Sequence, residues 1–340
     1  MKLRAWALLS VGLCVLLRAN AEIYELPPDG DDVVGAVTTV TARQEDTLVD
    51  IARRHGVGYE DIVRANPDVN VWLPGEGAQI VLPTRYVLPD VPRRGLVLNL
   101  AEYRMYYFPE PGSGEPATVM TFPISIGRMD WETPVGVTHI VSKVRNPTWF
   151  PPASVRDEHA ADGRPLPRAV PPGPANPLGA FALRLALPGY LIHGTNKPAG
   201  VGMRVSHGCI RMFPEDIEYL FEHITVDTPV RIINEPVKMG WQGDRLVLEA
   251  HPVLAVMPPP DPAADIEDSA KAEIEQAELA DEHVVKSPLT SVTEQFVAVT
   301  GTRAGQLDWS LVETIVDRSD GIPAAVGWGI KNAAASAASE

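Results

Sequence analysis

His193-Gly194-Thr195 followed by Ser206-His207-Gly208-Cys209-Ile210-Arg211 is the stretch around which the rest of the chain is arranged. Cys209 is one of two cysteines, and the other, Cys14, falls in an apolar run near the start. A thiol attacks as its thiolate, so a working cysteine needs a base or a cation close by. This stretch supplies both, with His193 sixteen residues before the thiol, His207 two before it and Arg211 two after it. In an extended backbone His207 would share a face with Cys209, although a turn at Gly208 would undo that. Gly194 and Gly208 let the backbone pass close to a substrate or take turns closed to other residues. The backbone N–H groups of Gly208 and Cys209 are the natural donors to an oxyanion, and Ser206 can bond His207 or the backbone. Arg211 has two uses open to it, a substrate carboxylate or an ion pair with an acid such as Asp216. His-x-Cys is too short to build a closed metal site, so neither a metal nor another cofactor is expected.

The 340 residues leave room for two or three domains, and a formal charge of −15 argues against nucleic acid as a partner. Residues 1–21 read as a secretory signal peptide. Lys2 and Arg4 form its basic start, residues 5–17 its apolar core, and Ala19-Asn20-Ala21 its cleavage site. That apolar run falls short of the roughly 20 residues a membrane-spanning helix needs. Cleavage after Ala21 would leave Cys209 as the single thiol, excluding an intramolecular disulfide and pointing to a reactive one.

The order H-G-T, then S-H-G-C, an apolar residue and Arg resembles the catalytic motif of the L,D-transpeptidases, the YkuD-type enzymes of the bacterial envelope. The resemblance spans residues 96–233. It implies a mainly β, β-sandwich-like catalytic domain in the periplasm, with Cys209 as nucleophile, His193 as its base and His207 in support. The implied substrate is a peptidoglycan tetrapeptide stem, cleaved after its third residue, diaminopimelate, with loss of D-Ala and formation of a thioester. An amine then resolves the thioester, either another stem, giving a 3→3 cross-link, or the terminal lysine of an envelope lipoprotein. Water as acceptor would make the protein an L,D-carboxypeptidase. A peptidoglycan-binding protein with an inactive domain is the contrasting reading, opposed by the presence of every residue the chemistry needs.

Upstream, Asp46-Thr47-Leu48-Val49-Asp50-Ile51-Ala52 predicts a capped helix with Leu48, Ile51 and Ala52 on one face. A second helix at residues 59–66 is stopped by Pro67, and Gln79-Ile80-Val81-Leu82-Pro83 reads as a strand. The order D-T-L-x-x-I-A, I-x-x-A-N-P, L-P-G and I-x-L-P resembles a LysM module, a small βααβ unit that binds peptidoglycan glycan strands. Deleting it is expected to weaken glycan binding more than turnover. Residues 22–40 read as a polar lead-in. The remaining division is a LysM module at 41–84, a catalytic domain at 94–234, an extension at 235–256, an acidic Pro/Ala-rich linker at 257–290 and a segment of unknown role at 291–340. Within the catalytic domain, residues 147–177 show no periodicity, and the resemblance makes them a flap over the cleft. The extension Glu235-Pro236-Val237-Lys238-Met239-Gly240-Trp241 looks most like the lipoprotein-anchoring branch.

Overall fold

The computed structural model of the chain describes residues 22–27, 30–128, 131–254 and 287–330. The expected signal peptide and residues 257–286 of the expected linker lie outside the described residues.

The fold is mainly β. A nine-stranded sheet runs in the order β1 (Ile23–Glu25), β6 (Thr118–Pro123), β5 (Arg104–Phe108), β4 (Gly95–Asn99), β13 (Pro229–Ile233), β8 (Gly136–Arg145), β9 (Phe181–Leu185), β10 (Leu191–His193) and β12 (Ile210–Arg211). The register of β8 against β9 shifts between Ile140 and Ser142, and the bulge lets the sheet fold back on itself. Both halves then face one core. Leu98, Met105 and Phe122 from one half meet Leu183, Ile192 and Ile210 from the other, all without exposed surface. Helix α4 (Pro214–His223) closes that core with Ile217 and Leu220. β7 (Ile126–Gly127) and β11 (Arg204–Ser206) form a separate parallel pair that leads into the Cys209 turn.

The LysM-like unit is built as its sequence reads. Thr47 caps α1 (Leu48–Arg54), its hydroxyl accepting from the Asp50 N–H while the Asp50 carboxylate answers the Thr47 N–H. Leu48, Ile51 and Ala52 are buried with Ile62 of α2 (Tyr59–Ala65). The polar lead-in, by contrast, is structured. It contributes β1 to the edge of the catalytic sheet and β2 (Val33–Thr41), which pairs along its whole length with β3 (Gln79–Val87). The reason is long-range: Val34 and Tyr86 of this ribbon pack on Val97, Tyr106 and Val119 of the catalytic sheet.

The unit is also joined to the enzyme beside its catalytic turn. Tyr59 N–H donates to Val201 O at 3.0 Å and Glu60 N–H to Gly202 O at 3.3 Å. Gly202 sits at φ +87°, and a Cβ there would lie 2.3 Å from the Tyr59 nitrogen, so only glycine fits. Arg53 of α1 forks onto Glu215 of α4 with both contacts at 2.8 Å, and buried Arg104 reaches Asp61 of α2 at 3.2 Å.

The extension and the terminal segment, separated in sequence, are one unit. β14 (Val237–Gln242) and β15 (Arg245–Ala250) form an antiparallel sheet with β17 (Ala324–Gly329) and β16 (Gly305–Leu307), in the order β14-β15-β17-β16. Helices α5 (Pro288–Thr300) and α6 (Trp309–Arg318) cover it, burying Val292, Val312 and Ile315 against Trp241, Leu246 and Leu248. At the junction of all three units lies a fully buried cation, Lys238. Its ammonium donates to Glu102 at 2.6 Å, to Tyr106 Oη at 3.0 Å and to the Val87 carbonyl at 2.7 Å, and it pairs with Glu249 at 3.0 Å. His251 Nε2 completes the cluster at 2.7 Å from Glu249.

Candidate active site

β10 and β12 are adjacent and parallel, with Ile192 opposite Ile210 and His193 opposite Arg211. Strand alternation sends both isoleucines into the core, where neither is exposed. His193 and Arg211 therefore share the other face, and Cys209, two residues before Arg211, is aligned with them. The placement follows from apolar side chains at alternate positions.

His193 is 3% exposed, and its Nδ1 lies 2.6 Å from Gly194 O. A carbonyl only accepts, so Nδ1 carries the proton and Nε2 keeps a lone pair. Burial, aided by the charge of Arg211, holds the imidazole down at about 3, so the ring is neutral at any working pH. Cys209 is pushed the other way. Burial raises its thiol above the ordinary value, partly offset by the Leu191 N–H and by Arg211. The resting pair is therefore neutral thiol and neutral imidazole. The thiol donates to Gly189 O at 3.7 Å, and no hydrogen bond joins it to His193. A turn of the cysteine side chain is needed to bring the pair together, as free enzymes commonly require.

The turn itself is held from behind. Gly208 has φ +94°, and Thr133 Oγ1 donates to its carbonyl at 2.8 Å while accepting from Gly127 N–H. Buried Ser206 donates to Cys209 O, choosing the backbone over His207. Among the described residues the N–H groups of Gly208 and Cys209 donate to nothing, which leaves both for an oxyanion. Gly194 packs its α-carbon against Ile217 and offers its carbonyl to His193. Arg211 makes no ion pair with Asp216. Its buried Nε has no partner, while Asp216 faces Glu215, Arg104 and Arg53.

His207 is not beside the sulfur's base. Its Nε2 lies 2.9 Å from Glu158, and Trp131 meets its ring edge-on with centroids 5.2 Å apart. Glu158 belongs to α3 (Ala153–Ala161), a helix inside residues 147–177, whose lack of periodicity had pointed to an irregular loop. Trp149 and Val170 bond reciprocally across the base of this excursion, and buried Asn176 ties it to Pro147 O at 2.8 Å. Glu158 is the site contact that sequence reasoning missed, since a surface glutamate 49 residues from His207 carries no local signal. Bonds from Arg128 and His207 hold its carboxyl down at about 2. The attachment of α3 to His207 therefore persists until the pH falls toward that value. Replacing Glu158 by Ala is expected to lower kcat/KM about two- to fivefold, as befits an exposed pair, and to speed amide exchange in α3. Unchanged exchange would mean that α3 is held by other contacts.

A profile of the L,D-transpeptidase catalytic domain matches residues 93–232, and one of the LysM domain matches residues 40–74. A Salmonella typhimurium protein named "Probable L,D-transpeptidase ErfK/SrfK" is 37% identical over 310 residues, covering 90% of this chain and 91% of that protein. The chain belongs to the L,D-transpeptidases. Two Escherichia coli relatives agree. "Probable L,D-transpeptidase ErfK/SrfK" is 44% identical over 227 residues, covering 66% of this chain and 72% of its own. "Probable L,D-transpeptidase YcfS" is 42% identical over 253 residues, covering 72% and 78%. This L,D-transpeptidase has peptidoglycan as its binding partner and substrate through its two matched domains.

Proposed function

We propose that the L,D-transpeptidase acts through Cys209, with His193 as general base, on tetrapeptide stems of exported peptidoglycan. The reading rests on one observation: His193 and Arg211 lie opposite each other on two adjacent parallel strands, with Cys209 just before one of them, beside two backbone N–H groups that donate to none of the described residues. His193 Nε2 takes the thiol proton as sulfur attacks the carbonyl, and the N–H groups of Gly208 and Cys209 hold the oxyanion. D-Ala leaves with the proton from His193, and the acyl group stays on sulfur as a thioester. Arg211 binds a donor carboxylate, and the helix α3 excursion, held by His207 and Glu158, covers the donor. An amine then takes the acyl group. We assign that role to a second stem or to a lysine ending an envelope lipoprotein. The LysM domain holds the glycan strand, and residues 1–21 direct export to the periplasm.

Incubating the full chain with disaccharide-tetrapeptides tests the reading by mass spectrometry of protein and products. The expected result is an acyl-enzyme on Cys209 and products that have lost D-Ala. A lysine-ended peptide should add a covalent adduct. Tripeptide alone, with every amine refused, would instead establish carboxypeptidase action. An unmodified protein with unaltered stems would overturn the catalytic assignment.

A further inference from the structure

Between His193 on β10 and Cys209 just before β12 the chain leaves the catalytic sheet and has to return to it in a fixed register. One margin of the returning segment is held from within the catalytic domain. Buried Ser125 donates through its hydroxyl to Gly200 O at 2.7 Å and exchanges backbone bonds with Arg211 at 2.8 and 3.0 Å. Ile126 N–H reaches Met203 O at 3.2 Å, and Arg128 N–H reaches Ser206 O at 2.9 Å. Ser206 in turn donates to Cys209 O.

The other margin is held by the LysM unit. Helix α2 starts after Gly58 with no side-chain cap, so its first N–H groups need acceptors from elsewhere. Tyr59 and Glu60 find them in the carbonyls of Val201 and Gly202. Glycine on both sides permits the approach. A Cβ on Gly202 would lie 2.3 Å from the Tyr59 nitrogen, and one on Gly58 would lie 3.0 Å from the Gly202 α-carbon. A second hold lies close by: Arg53 of α1, bonded to Glu215, also stands over the Phe213 ring at 5.7 Å. The N–H of Met212, just before that ring, donates to His193 O at 2.9 Å. A module that only tethered the enzyme to glycan would have no need of backbone bonds to the segment that delivers the nucleophile.

We propose that α2 of the LysM unit is a positioning element for acylation: the N–H groups of Tyr59 and Glu60 hold residues 200–206, and with them the Cys209 turn, in register beside His193. The inference rests on the acyl-transfer reading above and gives the LysM unit a task in the chemistry besides glycan binding. Without these bonds residues 201–202 are held on one margin only. A shift of about 1 Å between reacting groups costs on the order of a hundredfold in rate. The donor's own contacts are untouched, so the loss falls on the limiting rate rather than on donor affinity.

Proline at position 59 tests this with little other disturbance. It is the first position of the helix, where proline is favoured and no intrahelical bond uses the N–H, and Gly58 already has the extended backbone that a following proline requires. Tyr59→Pro removes the bond to Val201 O, whereas Tyr59→Ala removes the side chain and keeps the bond. Acylation of the full chain by a soluble tetrapeptide without sugars, followed by intact mass, keeps glycan binding out of the rate. Tyr59→Pro should lower the limiting acylation rate about ten- to a hundredfold while the half-saturating donor concentration changes little. Tyr59→Ala should stay close to the wild type. The two variants should bind insoluble peptidoglycan equally, and amide exchange should quicken at residues 200–208 in the proline variant alone. Gly202→Ala, made from the catalytic side, should give the same split and stands as the second arm if Tyr59→Pro fails to fold. Wild-type rates in Tyr59→Pro and Gly202→Ala, equal losses in Tyr59→Pro and Tyr59→Ala, or a loss confined to donor affinity overturns the proposal. Absence of any acyl-enzyme on the wild type would instead overturn the catalytic reading beneath it.

Discussion

With Cys209 replaced by alanine, no acyl-enzyme should form on any donor, whereas His193→Ala should retain the thiol and lose two to four orders of magnitude at neutral pH. The pH profile makes the second variant informative. His193 is held at about 3, so wild-type general-base acylation should be flat from about pH 4 to 8, with no inflection at the ordinary histidine value of 6.5. In His193→Ala the only route is through spontaneous thiolate, whose pKa burial has raised. Its rate should therefore climb tenfold per pH unit through the alkaline range and approach the wild type there. Stopped acylation of a tetrapeptide donor, followed by intact mass between pH 4 and 10, reads both curves. A wild-type inflection near 6.5, or a flat His193→Ala profile, would remove His193 as the base. Stability has its own pH dependence. Between 6.5 and about 3 an unfolded chain takes up a proton that folded His193 refuses, so acid favours unfolding across that window. Folding at each pH must therefore be checked before rates are compared.

Lys238→Met should be the most damaging substitution away from the active site. Burial raises the Glu102 carboxyl, and Lys238 only partly offsets this. Glu249 is also buried, yet Lys238, His251 and the Val87 N–H together bring it down to about 2. Removing the ammonium leaves Glu249 charged and poorly paired, with a second carboxyl beside it. Breaking one side of a buried pair costs about 3–5 kcal/mol, a large part of the 5–15 kcal/mol that holds a typical domain. Thermal unfolding should show a fall of many degrees, and Lys238→Met combined with Glu249→Gln should recover part of it, because the stranded charge goes too. A melting temperature within a degree of the wild type would mean that the cluster contributes nothing to stability.

Legibility followed the range of the interactions. Leu48, Ile51 and Ala52 announced a helix face because a helix repeats every few residues, and Thr47 announced its cap by chemistry confined to one turn. The candidate site was legible where its members were close in sequence: Ser206, Gly208, Cys209 and Arg211 lie on one turn and its two flanking strands, β11 and β12, and Gly194 follows His193. What failed depended on distant partners. The strand Val33–Thr41 fell mostly within residues 22–40, which read as a lead-in. Its partner β3 lies beyond two helices, and its buried face belongs to the catalytic sheet. Lys238 read as part of an extension, although its four anchoring groups come from Val87, Glu102, Tyr106 and Glu249. Glu158 was silent for the same reason.

The strand order of the C-terminal unit fixes when the molecule can be finished. β15, which carries Glu249, is flanked by β14 on one side and by β17 on the other, and β17 is among the last residues described. Gly321, just before it, donates to Ala250 O at 2.9 Å and presses against the His251 ring, closing the Lys238 cluster. A chain released early, even one carrying every residue of the catalytic motif, would leave that cluster open to water and β15 with a bare edge. Residues 321–329 thus act as a seal: only a chain that carries them can close the junction that holds its three units together.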